Sequence, residues 1–201
     1  LGVDRSKYPV SAFEFMEREH INGRLVVTFD WAQYALAALA PNTTVGFDGR
    51  YDTCYPQTVV DMNFDLLFGS DMSRRHRGLD SGPVDSNRVL QFGNPNLVLM
   101  DCIADVAAVQ HMDQHSDWIL LYHDARAALW GRKTVFDDSS LPGHVAVERR
   151  HISDAMPDGI VAWPGFPNRS GRDAFSPDVA AEAAKRGATL KFTASDVEVP
   201  R

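Results

Sequence analysis

The chain has 201 residues, of which 44% are hydrophobic and 23% are charged, so it is long and apolar enough to bury a full core. Its formal net charge of −7 disfavours a broad nucleic-acid or anionic-membrane surface, because both partners favour an excess of Lys and Arg. No apolar run approaches the roughly 20 residues that span a bilayer. The first residue, Leu1, is not an initiator Met. We therefore expect that the chain was cut from a longer polypeptide, for example by removal of a signal peptide. The alternative is that Leu1 is a remnant of a tag.

The first half of the chain alternates helix and strand patterns. Pro9 suits a first helical turn, and the apolar spacing after it predicts a helix over residues 10–18. Residues 24–29 and 43–48 read as short buried strands. Asp30 is predicted to cap a helix over residues 31–40. A further helix is predicted over residues 59–68.

The second half begins with a loop-like stretch over residues 69–88 and then resumes the alternation. Strands are predicted over residues 96–101 and 118–123, with a helix over 104–111 between them. Residues 124–126 are predicted to form a turn, and residues 127–130 to return as an antiparallel partner. The predicted fold is α/β, a three-layer, mostly parallel sheet with helices on both faces and an antiparallel hairpin at an edge.

The pattern weakens after residue 132. We predict an α/β core domain over residues 1–135 and a C-terminal extension over residues 136–201 that packs on it. Short strands are predicted over residues 145–148 and 159–163. Ser176-Pro177 is predicted to begin a helix, because Ser caps helices and Pro suits their first position.

Acids follow the predicted strands. Asp30, Asp48, Asp101 and Asp124 each stand at or just past a strand end. Ligands of parallel sheets bind outside the carboxyl ends of the strands. Such carboxylates could hold a divalent cation such as Mg²⁺ or act as acid and base. The alternative is that each acid caps a helix or a turn.

The densest polar cluster begins at Asp48. Arg50 could make a bidentate contact with a carboxylate or phosphate, or pair internally with Asp52 or Asp30. Together with Trp31 and Tyr51, Arg50 could also serve a carbohydrate- or anion-binding module.

Other motifs point to no cofactor or metal. His111 and His115 are four residues apart, but Met112 stands where a zinc-protease motif has Glu. Dinucleotide, P-loop and Gly-x-Ser-x-Gly motifs are absent from the sequence. Cys54 and Cys102 lack zinc-site spacing, and we interpret them as small buried residues, with one disulfide as the alternative. The basic run at 73–77 is interpreted as a solvated loop.

Residues 8–132 resemble a known domain type through an ordered set of short motifs. The pieces are Tyr8-Pro9, Gly23-Arg24, Phe29-Asp30-Trp31-Ala32-Gln33-Tyr34-Ala35-Leu36, Pro41, Phe47-Asp48-Gly49-Arg50, Tyr51 or Tyr55, and Trp118 through Tyr122-His123-Asp124. This order resembles the soluble extracytoplasmic C-terminal domain of bacterial polytopic membrane proteins of the protein mannosyltransferase and oligosaccharyltransferase type of glycosyltransferase. At the positions of Ala32 and Gln33 that family has two Gly. The resemblance therefore does not imply that a ligand approaches the backbone closely at these positions.

The resemblance implies a non-catalytic role, because the catalytic acid of such transferases lies in membrane-embedded loops. It implies an upstream transmembrane region of the same polypeptide as partner, a periplasmic location and help in binding an acceptor, a glycan or a lipid-linked sugar. The alternative is a small hydrolase or transferase that uses Asp30, Asp48 and Asp124, with Mg²⁺ as a candidate ion. The candidate ligand-binding residues are Asp30, Trp31, Tyr34, Asp48, Arg50, Tyr51 and Asp124.

Overall fold

The computed structural model describes residues 2–71 and 77–162, and at residues 51 and 52 it describes the backbone alone. These residues belong to one compact unit, Leu1–Pro167, while a second unit, Asn168–Arg201, lies outside the described residues. The predicted helix at Ser176-Pro177 therefore also lies outside them. The division at residue 135 stays a prediction.

Strands and helices alternate as the apolar pattern predicts. The strands are β1 (Gly2–Asp4), β2 (Gly23–Val27), β3 (Thr43–Val45), β4 (Leu97–Asp101), β5 (Trp118–His123), β6 (Ala127–Arg132), β7 (His151–Ile152) and β8 (Ile160–Ala162). The helices are α1 (Val10–Arg18), α2 (Ala32–Leu39), α3 (Tyr51–Cys54), α4 (Gln57–Phe68), α5 (Arg88–Gln91), α6 (Val106–Asp113) and α7 (Lys133–Phe136). Residues 145–148 do not form the predicted strand, since a 3-10 turn covers Val147–Arg149.

Within the described residues, six strands form one sheet in the order β3-β2-β4-β6-β5-β7. β2 pairs in parallel with both β3 and β4, and β5 pairs in parallel with β7. β6 runs antiparallel to its neighbours β4 and β5, so the other five strands point the same way. The separate pair β1–β8 is antiparallel. The α/β class, the mostly parallel sheet and the antiparallel hairpin are confirmed.

The hairpin strand β6 lies inside the sheet rather than at an edge. It is inserted between β4 and β5, and β7 takes the outer side of β5. Five consecutive residues of β6, from Ala127 to Gly131, are buried. A strand that is buried on both faces and hydrogen-bonded on both sides is typical of a sheet interior. The physical reason is the uncharged run from Ala127 to Gly131, which can be buried on both faces of the sheet at little cost.

Two apolar layers cover the sheet. On one face α1 and α2 pack through Phe13, Met16 and Ala35 against alternate strand residues such as Leu97 and Leu99. On the other face α4, α5 and α6 pack through Leu66, Leu90 and Met112 against the intervening Val98 and Met100. Successive strand residues therefore face opposite layers, as the period of two requires. The three-layer arrangement is confirmed.

Gly131 in β6 is held by close packing. A Cβ built on Gly131 would lie 2.5 Å from Cδ2 of Phe136 and 2.6 Å from Cδ1 of Leu121. We expect Gly131→Ala to lower the free energy of unfolding by about 1–3 kcal/mol, because added volume in a packed core forces side chains to move. Gly46→Ala is the matched control, since its nearest neighbour would be 3.9 Å away. Urea unfolding with equal losses for the two variants would contradict this expectation.

Candidate functional site

The carboxyl ends of the parallel strands form one edge of the sheet. β2 and β4 point the same way, while β3 lies on the other side of β2. After β2 the chain moves to one side of the sheet, and after β4 it moves to the other side. Open α/β sheets bind ligands at such a point. The sequence predicts acids at this edge, and the structure shows what each of them contacts.

Asp101, at the end of β4, is held by its own loop and by Arg126. Its Oδ1 accepts hydrogen bonds from the backbone N–H groups of Ile103 (2.8 Å) and Ala104 (3.1 Å). Its Oδ2 forms an ion pair with the guanidinium of Arg126. The carboxylate thus occupies the backbone N–H groups that would otherwise be available to a ligand.

Asp105 and Thr28 form a buried pair beside Asp101. The Thr28 hydroxyl donates to Oδ2 of Asp105 at 2.6 Å and accepts from the backbone N–H of Asp101 at 2.8 Å. Burial raises the pKa of Asp105 from its ordinary 3.8 to about 6, and the negative charge of Asp101 acts in the same direction. Asp105 is therefore the described acid at this edge whose proton would exchange near neutral pH.

Asp48 is buried after β3 and is satisfied by its own loop. Arg50 donates from Nε (2.9 Å) and Nη2 (2.6 Å) to the two carboxylate oxygens, and its backbone N–H also donates to Oδ1 (3.0 Å). Tyr55 adds a longer hydrogen bond of 3.4 Å. These contacts, Arg50 first, hold the pKa of Asp48 below its ordinary value. The predicted polar cluster is therefore an internal ion pair, and Arg50 pairs with Asp48.

Asp124 shapes the β5–β6 turn. Its Oδ1 accepts from the backbone N–H groups of Arg126 and Ala127, both at 2.7 Å, and its Oδ2 accepts from the Tyr122 hydroxyl. Burial is the main reason why the pKa of Tyr122 is raised. The guanidinium of Arg126 also lies over the ring of buried Trp31, 5.2 Å from its centroid. Trp31 is thus covered by Arg126 rather than exposed for stacking.

The remaining predicted site residues lie apart. Asp30 is exposed in a 3-10 turn, and no side-chain cap bond is present at the start of α2, so the predicted capping role of Asp30 is wrong. Tyr34 packs against Tyr8 and Phe13, and burial raises its pKa to about 12. The side chain of Tyr51 lies outside the described residues. Among residues 2–71 and 77–162, three or more His, Cys, Asp or Glu side chains do not converge into a group that could hold a metal ion.

A cavity of about 320 Å³ opens on the α1 side of β5. It lies between α1, the ends of β5 and β7, and the segment 153–157. The lining combines aromatic, charged and hydroxyl side chains with the apolar segment; these residues are Ser11, Glu14, Phe15, Arg18, Tyr122, Asp124, His151, Ser153, Ala155, Met156 and Pro157. Of the predicted site residues, Asp124 lines it. The volume of this cavity lies at the lower end of the range that is typical of small-molecule sites.

Two stretches of chain hold the outer wall of the cavity. The backbone N–H of Ser153 donates to the carbonyl of His123 (3.0 Å), and that of Ala125 donates to the carbonyl of Ala155 (3.2 Å). Further along, the backbone N–H of Arg5 donates to the carbonyl of Gly159 (3.1 Å), next to the β1–β8 pair. The wall is therefore fixed at both ends by backbone hydrogen bonds.

Other side chains named from the sequence have structural roles. His111 lies 3.1 Å from the amide oxygen of Asn87, and the His111 and His115 rings meet edge to face. Cys54 is exposed and Cys102 is half-buried, and they form no disulfide, so the interpretation of two buried cysteines is wrong for Cys54. Burial raises the pKa of the Cys102 thiol to about 12. Of the basic run, residues 73–76 lie outside the described residues, and Arg77 forms a shielded ion pair with Asp65, so its interpretation as solvated is wrong.

Sequence reasoning missed most of the cavity. His151 belongs to a two-residue strand, which is too short to give a periodic signal. Glu14 and Arg18 lie four residues apart on α1, a spacing that places both on one helix face. That spacing, with the Arg149-Arg150-His151 run, is the signal that could have pointed to the cavity.

Comparison of the chain with protein-family models, with curated proteins and with solved structures finds no match in any of the three. In the part of the chain that the structure describes, every helix is too short or too polar to cross a membrane.

Proposed function

We propose that this chain is a non-catalytic, extracytoplasmic domain of a membrane-bound, glycosyltransferase-like protein, and that it binds a glycan or a lipid-linked sugar in the cavity beside β5. The observation that carries the proposal is the cavity, whose volume of about 320 Å³ suits a sugar-sized molecule. Its partner would be an upstream transmembrane region of the same polypeptide, and the domain itself would lie on the periplasmic side of the membrane.

The state of the acids supports a binding role over a catalytic one. Asp48, Asp101 and Asp124 each accept several hydrogen bonds from fixed neighbours. A catalytic carboxylate must be free to contact substrate or to transfer a proton. These three acids instead stabilise the loops that follow β3, β4 and β5.

The positions of the family-like motifs also support the proposal. Pro9 directly precedes α1, Asp48 follows β3 and is paired with Arg50, and the Trp118 motif coincides with β5 and its turn. Each of these three pieces thus stands at an element boundary, where it has a definable structural role.

Sugar binding is tested by titrating the ¹⁵N-labelled chain with a panel of monosaccharides and disaccharides. We expect shifts in the amide signals of Tyr122, His151 and Ser153. Ala155→Trp should fill the cavity and weaken binding about tenfold or more, since the ligand loses its space. Ala37→Trp on the exposed side of α2 is the matched control. A panel that leaves the cavity signals unmoved would contradict the binding role.

The membrane association has its own test in the reading frame upstream of Leu1. Several apolar stretches of about 20 residues there would support it. A start codon directly upstream, or after a lone signal peptide, would contradict it and leave the glycan-binding proposal to stand on the titration alone.

A second candidate function, a hydrolase or transferase that uses the carboxylates of this edge, is favoured by one observation. Asp105 is buried beside Thr28 with a pKa raised to about 6, which suits a group that accepts or donates a proton near neutral pH. Turnover of a glycoside or ester by the isolated chain, abolished in Asp105→Asn, would support it. A chain without turnover on either substrate class would count against it.

A further inference from the structure

The two acids that line the cavity already accept hydrogen bonds from neighbours, and Glu14 is also ion-paired with Arg5. Arg5 donates to both carboxylate oxygens of Glu14, at 2.7 and 2.6 Å. Asp124 accepts two backbone N–H groups and the Tyr122 hydroxyl. Neither carboxylate is therefore a strong acceptor for an incoming ligand.

Arg18, which lines the cavity, shares its carboxylate partner with Arg149, which lies outside the lining. Arg18 donates from Nε to Glu19 at 2.9 Å, and Arg149 donates to the same carboxylate at 2.7 Å and 2.6 Å. Two guanidinium groups thus share one carboxylate, which leaves one positive charge in excess. The side chain of Arg18 is 62% exposed, and its guanidinium lies 5.4 Å from the centroid of the Phe15 ring.

His151 and Ser153 add hydrogen-bond donors on the opposite wall. The His151 ring stacks on Tyr122 with centroids 5.0 Å apart, and among the described residues no hydrogen bond reaches its two nitrogens. Ser153 Oγ accepts from the backbone N–H of Ala155 at 3.1 Å, so its own proton remains to be donated. Arg18, His151 and Ser153 can therefore each donate a hydrogen bond to a ligand, and the guanidinium of Arg18 is positively charged.

We infer that the cavity binds an acidic sugar, one that carries a carboxylate or phosphate group, with the anionic group between Arg18 and His151. The inference rests on the proposed glycan-binding function and names the ligand class. A guanidinium presents paired N–H groups that match the geometry of carboxylate and phosphate oxygens. The Phe15 ring beneath Arg18 helps to fix the plane of those donors. The chain as a whole has a net charge of −7, so the positive excess of Arg18 and Arg149 beside Glu19 is a local feature.

The test is calorimetric titration of the whole chain with glucuronate, glucose 6-phosphate, glucose and inorganic phosphate. We expect at least one acidic sugar to bind about tenfold or more tightly than glucose, because a hydrogen bond to a charged group contributes more than a neutral one. Arg18→Gln and His151→Gln should each remove most of that preference. Arg24→Gln, in β2 and outside the cavity lining, is the matched control and should leave binding unchanged.

The outcomes separate the inference from the function beneath it. Equal binding of glucose and both acidic sugars, unaffected by Arg18→Gln, would overturn the acidic preference while leaving glycan binding intact. Binding of inorganic phosphate as tight as that of glucose 6-phosphate would overturn the requirement for a sugar. Absence of binding by all four probes would overturn both. A preference that weakens as NaCl is raised would support the charged contact, since salt screens exposed charges.

Discussion

Replacing Asp101 by Ala is expected to lower the free energy of unfolding by about 3–5 kcal/mol, because it leaves a largely buried positive charge without its partner. The ion pair with Arg126 is closely shielded, with side-chain exposures of 15% for Arg126 and 4% for Asp101. The same change leaves the backbone N–H groups of Ile103 and Ala104 without their acceptor. Urea denaturation at pH 7 measures the loss.

Asp30→Ala is the matched control for this prediction. Asp30 follows the neighbouring strand β2 and is exposed, so its removal should change stability by less than about 0.5 kcal/mol. Two variants of equal stability would show that Asp101 does not have the structural role assigned to it. The acid would then be available for ligand contact, and the enzyme alternative would gain.

Replacing Asp105 by Asn is expected to raise stability at pH 7 by up to about 3 kcal/mol, since each unit of pKa shift corresponds to about 1.4 kcal/mol. Burial raises the pKa of Asp105 from 3.8 to about 6, so the folded chain binds this proton more tightly than the unfolded chain does. The stabilisation that protonated Asp105 gives the parent chain is therefore fully present below about pH 3.8 and is lost as the pH rises through about 6. Asn resembles the protonated acid at every pH and can still accept from Thr28.

The measurement is the difference in unfolding free energy between the parent chain and Asp105→Asn from pH 4 to pH 7.5. We expect the difference to grow across the interval between about 4 and 6 and to level off above it. Asp117→Asn, an exposed change, should give a flat difference. A flat difference for Asp105→Asn as well would mean that water reaches this carboxylate and that its pKa is not raised.

Much of the fold could be predicted because the chain alternates period-two and helical apolar patterns. The predicted helix over residues 10–18 and the strand over residues 118–123 match α1 and β5 in both bounds. The position of β6 could not be predicted, because a hairpin pattern shows which strand is the partner but not on which side of it the new strand lies. In the structure, five residues of β6 are buried, whereas both residues of β7 are exposed. This difference is the one expected between an interior strand and an edge strand.

The site was less accessible to sequence reasoning for a different reason. Asp30 and Asp105 both stand beside a strand end, and nothing in their neighbours distinguishes the exposed acid from the buried one. The distinction depends on Thr28, which is far from Asp105 in the sequence and close to it across the sheet. The cavity likewise depends on α1 and His151, which are far apart in the sequence and are brought to the same cavity by the sheet.

The central position of β6 has a consequence for synthesis of the chain on the ribosome. β3, β2 and β4 emerge first, and the outer side of β4 then has no strand to pair with, although all five of its residues are buried in the folded protein. That open edge persists until Ala127–Arg132 has been made and released. An unpaired apolar strand edge is a site for aggregation. The nascent chain therefore has an interval of vulnerability, which ends when β6 closes the gap between the two halves of the sheet.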